Sequence, residues 1–501
     1  MRQAIHIFKK DARALWLEVL LLLALAALLG WTETHFAGAA GVAELLVILA
    51  VNYVIARVVH AEVIPGHNQF WLTRPYRWKS LLGAKLLFVL VFVNIPIFAA
   101  QCYMIVAEGF SFTQSLPGLI WSQVLMVVCV SLPATCLASL TAGLMPFLLS
   151  EFIMVGAAFI SDAMLVRASR SSFLGALQAG PGAIEWVRDS LGLVVVTCFA
   201  LFVLRLQYKT RQTEIGTRWA IGGAVVAAIV FLCTPWTLAM GVQSALSKQA
   251  FDGSSLNVGL ESVSKSVFPP NPVGAVSLPI AVKGTPASQE LEVDALSITL
   301  VAADGQTWNS GYVAPIELEG GAKSDPAETL ADGILHVDPA FLNSEGARPV
   351  TVHAKLYLTS FGDPHSVTVP IQPQPVNALD GLRCAVGFFH QFSCQSIFRW
   401  PRRRVYAKTG EDGVESYIRT ISYSPFPATL GFNPIEGHSF PTRPDATQAT
   451  VTTKAPLSYF QIEREIPGVS LADFTIDAKR RALRPPPLPT SSPSEPARRD
   501  R

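Results

Sequence analysis

A polytopic, mainly α-helical membrane domain followed by a β-rich, sandwich-like extracytoplasmic domain is the fold class this sequence predicts. Three observations carry it. Residues 1–240 are a series of long apolar runs separated by short basic breaks, while residues 241–501 are polar and rich in Pro, Thr, Ser and Val. Half of the 501 residues are hydrophobic and 15% are charged, a low charge content for a water-soluble chain. Lys and Arg are divided unevenly among the breaks, which orients a membrane protein more surely than the net charge of +2 does.

The first segment, Arg2 to Trp16, mixes basic residues with Ile5, Ile7 and Phe8. It reads as a short helix at the inner membrane surface, with lysines snorkelling and Trp16 at headgroup level. The apolar run from Leu17 to Gly30 follows. Ala37-Gly38-Ala39 has the small residues of a signal-peptide cleavage site. The long segment before the run and the immediate start of another span favour an uncleaved first span.

About seven spans fit the roughly 20 residues that a bilayer needs: 14–31, 41–58, 84–106, 118–138, 144–164, 189–207 and 219–240. Runs this long in lipid must satisfy their own backbone groups, so they are read as helices. No charged residue lies between Glu108 and Glu151. That run is too long for one span, and Gly143 and Pro146 offer the break. Asn94 with Pro96 interrupts the third span and Pro133 the fourth. Asn94 and Glu151 are the intramembrane polar candidates, since such groups are costly in lipid and mark a pathway or a pairing. For Glu151 the plain reading is a pairing that holds the bundle, or a shallower position.

With the N-terminus in the cytoplasm, thirteen Lys and Arg fall on inner segments and three on short outer loops. The inner ones include Arg57, Arg74, Arg77, Lys79, Lys85, Lys209 and Arg211. An odd number of spans then puts residues 241–501 outside the cell membrane, with 241–478 as the β-rich domain. There 290–301, 350–358, 366–371 and 449–453 alternate apolar and polar residues between turn signals such as Asp304-Gly305, the pattern of a sandwich. Residues 479–501 are basic and Pro-rich and are expected to be disordered. Cys384 and Cys394 are the two cysteines of the outer region. An oxidising compartment favours a disulfide over a metal pair, which His390 would not complete.

No P-loop, H-E-x-x-H or G-x-S-x-G motif occurs, so ATP hydrolysis, zinc proteolysis and α/β-hydrolase chemistry have no support and no enzyme activity or bound cofactor is expected of this chain. Nucleic acid is not an expected partner. Attention therefore falls on residues 60–85. Pro65-Gly66 breaks the chain after the second span, Phe70, Trp71 and Leu72 supply apolar anchors, and Arg74, Arg77 and Lys79 supply charge. This is the make-up of a protein-docking element; a basic juxtamembrane stretch holding anionic lipid would read the same way.

Phe8-Lys9-Lys10-Asp11-Ala12-Arg13, two spans, and then Phe70-Trp71-Leu72-Thr73-Arg74-Pro75 through Lys85 together resemble a type-2 ABC transporter permease. The resemblance covers residues 1–240 and rests on short motifs. It implies that Phe70, Trp71, Leu72, Arg74 and Arg77 lie on a coupling helix that docks on a separate cytoplasmic P-loop ATPase subunit, where ATP would bind. It also implies a homodimer or a paired permease among membrane lipids, in a cell inner membrane. The family normally has six spans, and a seventh carrying a large outer domain departs from it. The alternative is a membrane-anchored binding or sensing protein whose outer domain recognises a ligand or partner.

Overall fold

A computed structural model of the chain describes residues 2–35, 37–61, 77–154, 156, 185–234, 236–261, 275–286, 288–313, 316–317, 328–386, 392–397, 404–409, 415–417, 432–440 and 446–474. Helix α1 (Arg2–Ala14) runs into α2 (Trp16–His35), and α3 (Ala37–His60) returns. The next helix is α4 (Trp78–Val89), a π-turn (Leu90–Asn94) and α5 (Ile95–Ala107); the one after is α6 (Phe112–Leu125), a second π-turn (Met126–Ser131) and α7 (Leu132–Leu140). After the short apolar α8 (Leu144–Met154) come α9 (Glu185–Thr210), α10 (Thr213–Cys233) and α11 (Trp236–Ala245).

Six of these helices, among the described residues, are long and apolar enough to cross a membrane, including Trp78–Ala107 and Phe112–Leu140 as single units. Their outward faces carry Leu17, Leu20, Leu45, Leu90, Ile120 and Ile229, all exposed. A water-soluble bundle would not leave so much apolar surface open; this is a membrane protein. The expected span 144–164 is described only as far as α8 and Gly156.

Neither π-turn interrupts its span. Pro96 and Pro133 lack the N–H that would reach back four residues, and the ladder shifts register just upstream. Ile95 N–H donates to Leu90 O and Leu132 N–H to Val127 O. Asn94 Nδ2 donates to Val89 O at 3.2 Å, and Thr135 Oγ1 to Ser131 O at 2.6 Å. Polar side chains thus occupy carbonyls near each shift, and both helices remain continuous.

The sequence after α11 forms fourteen strands among the described residues. Two of them, β7 (Pro349–Pro370) and β14 (Gln448–Ser470), pair antiparallel along their lengths and shift register near Thr453 and Pro456. On one side of that bend they join β3 (Glu290–Val301) and β4 (Thr307–Val313). This sheet faces another made of β1 (Asn257–Leu260), β2 (Ala275–Lys283), β6 (Glu328–His336) and β5 (Ile316–Glu317). Val276, Leu278, Ile280, Val293, Leu296, Val352 and Leu356 fill the space between. Beyond the bend, β14 and β7 continue beside β11 (Arg404–Thr409) and β12 (Glu415–Tyr417). There they face a sheet of β13 (Ile435–Phe440), β10 (Phe392–Ile397), β9 (Arg383–Val386) and β8 (Val376–Asn377). Cys384 and Cys394 sit opposite each other in β9 and β10, 4.0 Å apart at Cα, and form a disulfide inside this second, smaller core. The β-rich region is therefore two sandwiches sharing one long antiparallel strand pair, β7 with β14.

The two sandwiches rest on one end of the helix bundle. Ala295 and Tyr357 pack on Val187 of α9 and on Ala239 and Met240 of α11. Phe432 is buried in the bundle core, and Asn433 Nδ2 donates to Glu33 Oε2 of α2 at 2.8 Å. Ile397 joins Ile105, Phe110 and Leu119. The Arg383 guanidinium stands 5.7 Å over the Phe110 ring. The tight turn beneath it requires Gly109, whose φ is +71° and where a Cβ would lie 2.6 Å from that guanidinium. Tyr459 lies at this junction, its N–H on Ser247 Oγ at 2.9 Å; burial first and Asp294 second push its hydroxyl above the ordinary tyrosine range. The opposite end of the bundle gathers α1, the C-terminus of α3, the N-terminus of α4, and the ends of α7 and α9.

Candidate functional site

The site is the frame that holds residues 60–85, at the end of the bundle away from the sandwiches. It begins with α1. Ile7, Asp11, Leu15, Val19, Leu22, Ala26 and Leu29 are all buried. Their spacing of three and four residues is one helical stripe. Backbone hydrogen bonds Leu15 N–Asp11 O and Val19 N–Leu15 O, 2.9 and 3.0 Å, carry the ladder through the break between α1 and α2. Contrary to expectation, α1 does not turn its apolar face to the membrane surface. It extends α2 and packs that face on a neighbouring helix.

That neighbour is α4. Arg77 N–H donates to Gln3 Oε1 at 3.4 Å, Ile7 packs with Leu81 and Ala84, and Lys85 Nζ donates to Asp11 Oδ2 at 2.8 Å. Each rung is one turn from the last on both helices, so α1 and α4 run parallel and in register. Phe8 stacks on Phe92 at 5.5 Å and meets Phe88 edge-on at 6.4 Å. Asp11 and Lys85 are 1% and 0% exposed at their side chains. Lys85, expected among the loop charges, is instead enclosed in the second turn of a helix that begins at Trp78 rather than near 84. Taking two ions out of water costs several kcal/mol each, offset only where geometry and further hydrogen bonds are good.

The other side of the frame is His60, at the end of α3. Its Nε2 lies 2.9 Å from Ala138 O and 3.3 Å from Thr141 Oγ1, tying α3 to the end of α7. Both ends of the loop are thus anchored on the bundle. Arg77 stands at the N-terminal boundary of α4 with its side chain exposed and no capping hydrogen bond from it. Phe70, Trp71, Leu72 and Arg74 lie outside the described residues.

Asn94 is buried in the first π-turn and accepts from Ser131 Oγ of the second at 3.4 Å. Toward the sandwiches, Gln101 Nε2 donates to Ser122 Oγ at 3.0 Å and Gln123 Nε2 to Gln101 Oε1 at 2.8 Å. A polar seam therefore joins Trp78–Ala107 to Phe112–Leu140. Glu151 is half-buried on α8, and no hydrogen bond or ion pair joins it to Asn94. Among the described residues no group of three or more His, Cys, Asp or Glu is placed to hold a metal.

Sequence reasoning missed the Asp11–Lys85 pair and the Gln101–Ser122–Gln123 cluster. The signal for the first was present: Asp11 is the one acidic residue on an otherwise apolar stripe, and Lys85 interrupts an apolar run. The chain matches no protein-family model and none of the curated proteins with which it was compared.

Proposed function

We propose that this chain is the membrane-spanning permease subunit of an ABC-type transporter, driven through residues 60–85 by a separate cytoplasmic ATPase that binds the ATP. The observation that carries the reading is the buried Asp11–Lys85 pair. A subunit without a nucleotide site must receive work by contact, and a contact moves a bundle only where its attachment is stiff. Here α1 and α4 are locked in register at the base of the loop, and α4 leads directly into the Asn94 π-turn. A push on Phe70 and Trp71 would be passed into two helices at once.

The membrane orientation belongs to the same proposal. The ends rich in Lys and Arg gather at the loop, and the opposite ends carry the sandwiches and a disulfide, which suits an oxidising, extracytoplasmic compartment. Successive long helices alternate in direction except for α7 and α9, which both end at the loop side. α8 starts on that same side, its Phe147 edge-on to the His60 ring at 6.5 Å, which supports reading 144–164 as a further span. On this reading the chain crosses seven times, with the N-terminus in the cytoplasm of a cell whose inner membrane holds the protein, as a homodimer or paired with a second permease.

A second reading is an anchored recognition protein. The observation in its favour is the size of the two sandwiches and their close seating on the bundle through Phe432, Asn433 and Arg383. The test is Phe70→Ala with Trp71→Ala in the full chain. The variant should insert normally and lose both association with the ATPase and transport-linked hydrolysis. Normal insertion with an active ATPase still bound, or a wild-type chain that captures no ATPase from its native membrane, would overturn the permease reading.

A further inference from the structure

The outward stripe of the α1–α2 helix changes character at one level. Arg2, His6, Lys9 and Arg13 are exposed and follow at intervals of four, three and four residues, so they form one line. The line continues into Leu17 and Leu20, 60% and 51% exposed, with Trp16 at the junction. The opposite stripe, from Ile7 to Leu29, is buried throughout. Because the ladder runs unbroken past Leu15, the cationic line and the apolar line point the same way, sideways from the bundle. A protein docked beneath the bundle would meet the loop; what meets this stripe is whatever surrounds Leu17 and Leu20.

The nearby carboxylates are turned elsewhere. Asp11 faces Lys85, and Glu18 faces Arg57 at 3.4 Å. Arg2, Lys9 and Arg13 make no ion pair among the described residues. A helix rises about 1.5 Å per residue, so Arg13 and Lys9 lie roughly 5 and 10 Å beyond Trp16. The headgroup layer outside the hydrocarbon is roughly 5–8 Å thick on each side. Arg13 thus stands at headgroup depth and Lys9 at the outer edge of that layer, within reach of its phosphates, directly below the lipid-facing leucines.

We propose that Lys9 and Arg13, with Trp16 above them, form a binding surface for anionic phospholipid headgroups. This goes beyond the permease reading and does not depend on it. The test uses the full chain in detergent, titrated with phosphatidylglycerol or phosphatidylcholine, with bound lipids counted by native mass spectrometry. The wild type should retain phosphatidylglycerol in preference. Neutralising Lys9→Gln and Arg13→Gln should cut that preference on the order of 30-fold, while Lys9→Arg with Arg13→Lys should keep it. Neutralising the exposed Lys248 at the sandwich end should change nothing. Equal retention of the two lipids by the wild type, or an undiminished preference in the Lys9→Gln/Arg13→Gln chain, would overturn the proposal, the second result also if an acidic protein then proved to need the stripe.

Discussion

A lysine and an aspartate that are both closed off from water must stabilise one another, or the helices that carry them would separate. Asp11 and Lys85 do so at 2.8 Å, flanked by Ile7, Leu81 and Ala84. Breaking such a pair from one side strands a buried charge, which typically costs about 3–5 kcal/mol. Asp11→Ala should therefore lower the thermal midpoint of the purified chain markedly. Asp11→Leu combined with Lys85→Met should recover most of the loss, because an apolar pair of similar volume carries no desolvation penalty. An unchanged midpoint in the single variant would show that the pair adds nothing to the attachment of α1. Asn94 and Ser131 work on a smaller scale. Asn94 donates to Val89 O and accepts from Ser131 Oγ, while Thr135 Oγ1 donates to Ser131 O, so the seam is satisfied rather than open.

At the scale of elements, the long strands do most to organise the β region. β7 and β14 each serve two cores, and the register shifts near Pro456 let this strand pair bend from the first sandwich into the second. The second core is small, and its strands β9 and β10 are crossed by the disulfide. The loop it closes spans ten residues, and closing a loop of that size contributes on the order of 2–3 kcal/mol. Replacing Cys384 and Cys394 with Ala should lower the unfolding midpoint of the full chain accordingly, with the loosening read as faster hydrogen exchange in β9, β10 and β13. Free thiols at both positions in the natively expressed protein would contradict this. Since Arg383 and Ile397 border the same strands and touch Phe110, the staple also steadies the contact with the bundle.

For the whole molecule, the decisive property is that the two ends of the bundle differ. One end collects Arg2, Lys9, Arg13, Arg77 and Lys209 around the 60–85 loop; the other meets β-sandwiches through Glu33, Phe110, Val187 and Met240. Asp304 in an exposed turn and Gln212 between α9 and α10 belong to opposite ends. Cysteines placed at these two positions, in a chain whose native free cysteines are replaced, should react with a membrane-impermeant thiol reagent from opposite sides. Asp304→Cys should label from outside intact cells, and Gln212→Cys only after the membrane is opened. Labelling of both from one side would overturn the proposed orientation and the count of seven crossings.

The sequence by itself determined where the long apolar helices lie and that a β-rich region follows them. Long apolar runs and period-two alternation are local properties, and they located the six described long helices to within about two turns at each end, together with β3, parts of β7, the start of β14 and the Cys384–Cys394 pair; the expected span 144–164 lies only partly within the described residues. It also determined the segregation of basic residues, which is a matter of counting. Only the tertiary structure decided that α1 extends α2 and docks on α4, that Lys85 is enclosed, and that Asn94 and Pro96 shift a helix rather than break it. It alone showed that one long strand pair, β7 with β14, serves two sandwiches. The physical reason is the same in each case. An amphipathic stripe states that a face must be covered but not by what, and a charge in an apolar run states that it needs a partner but not which one. Gln3, Asp11, Arg77 and Lys85 are 74 residues apart in pairs, and no local pattern encodes that distance.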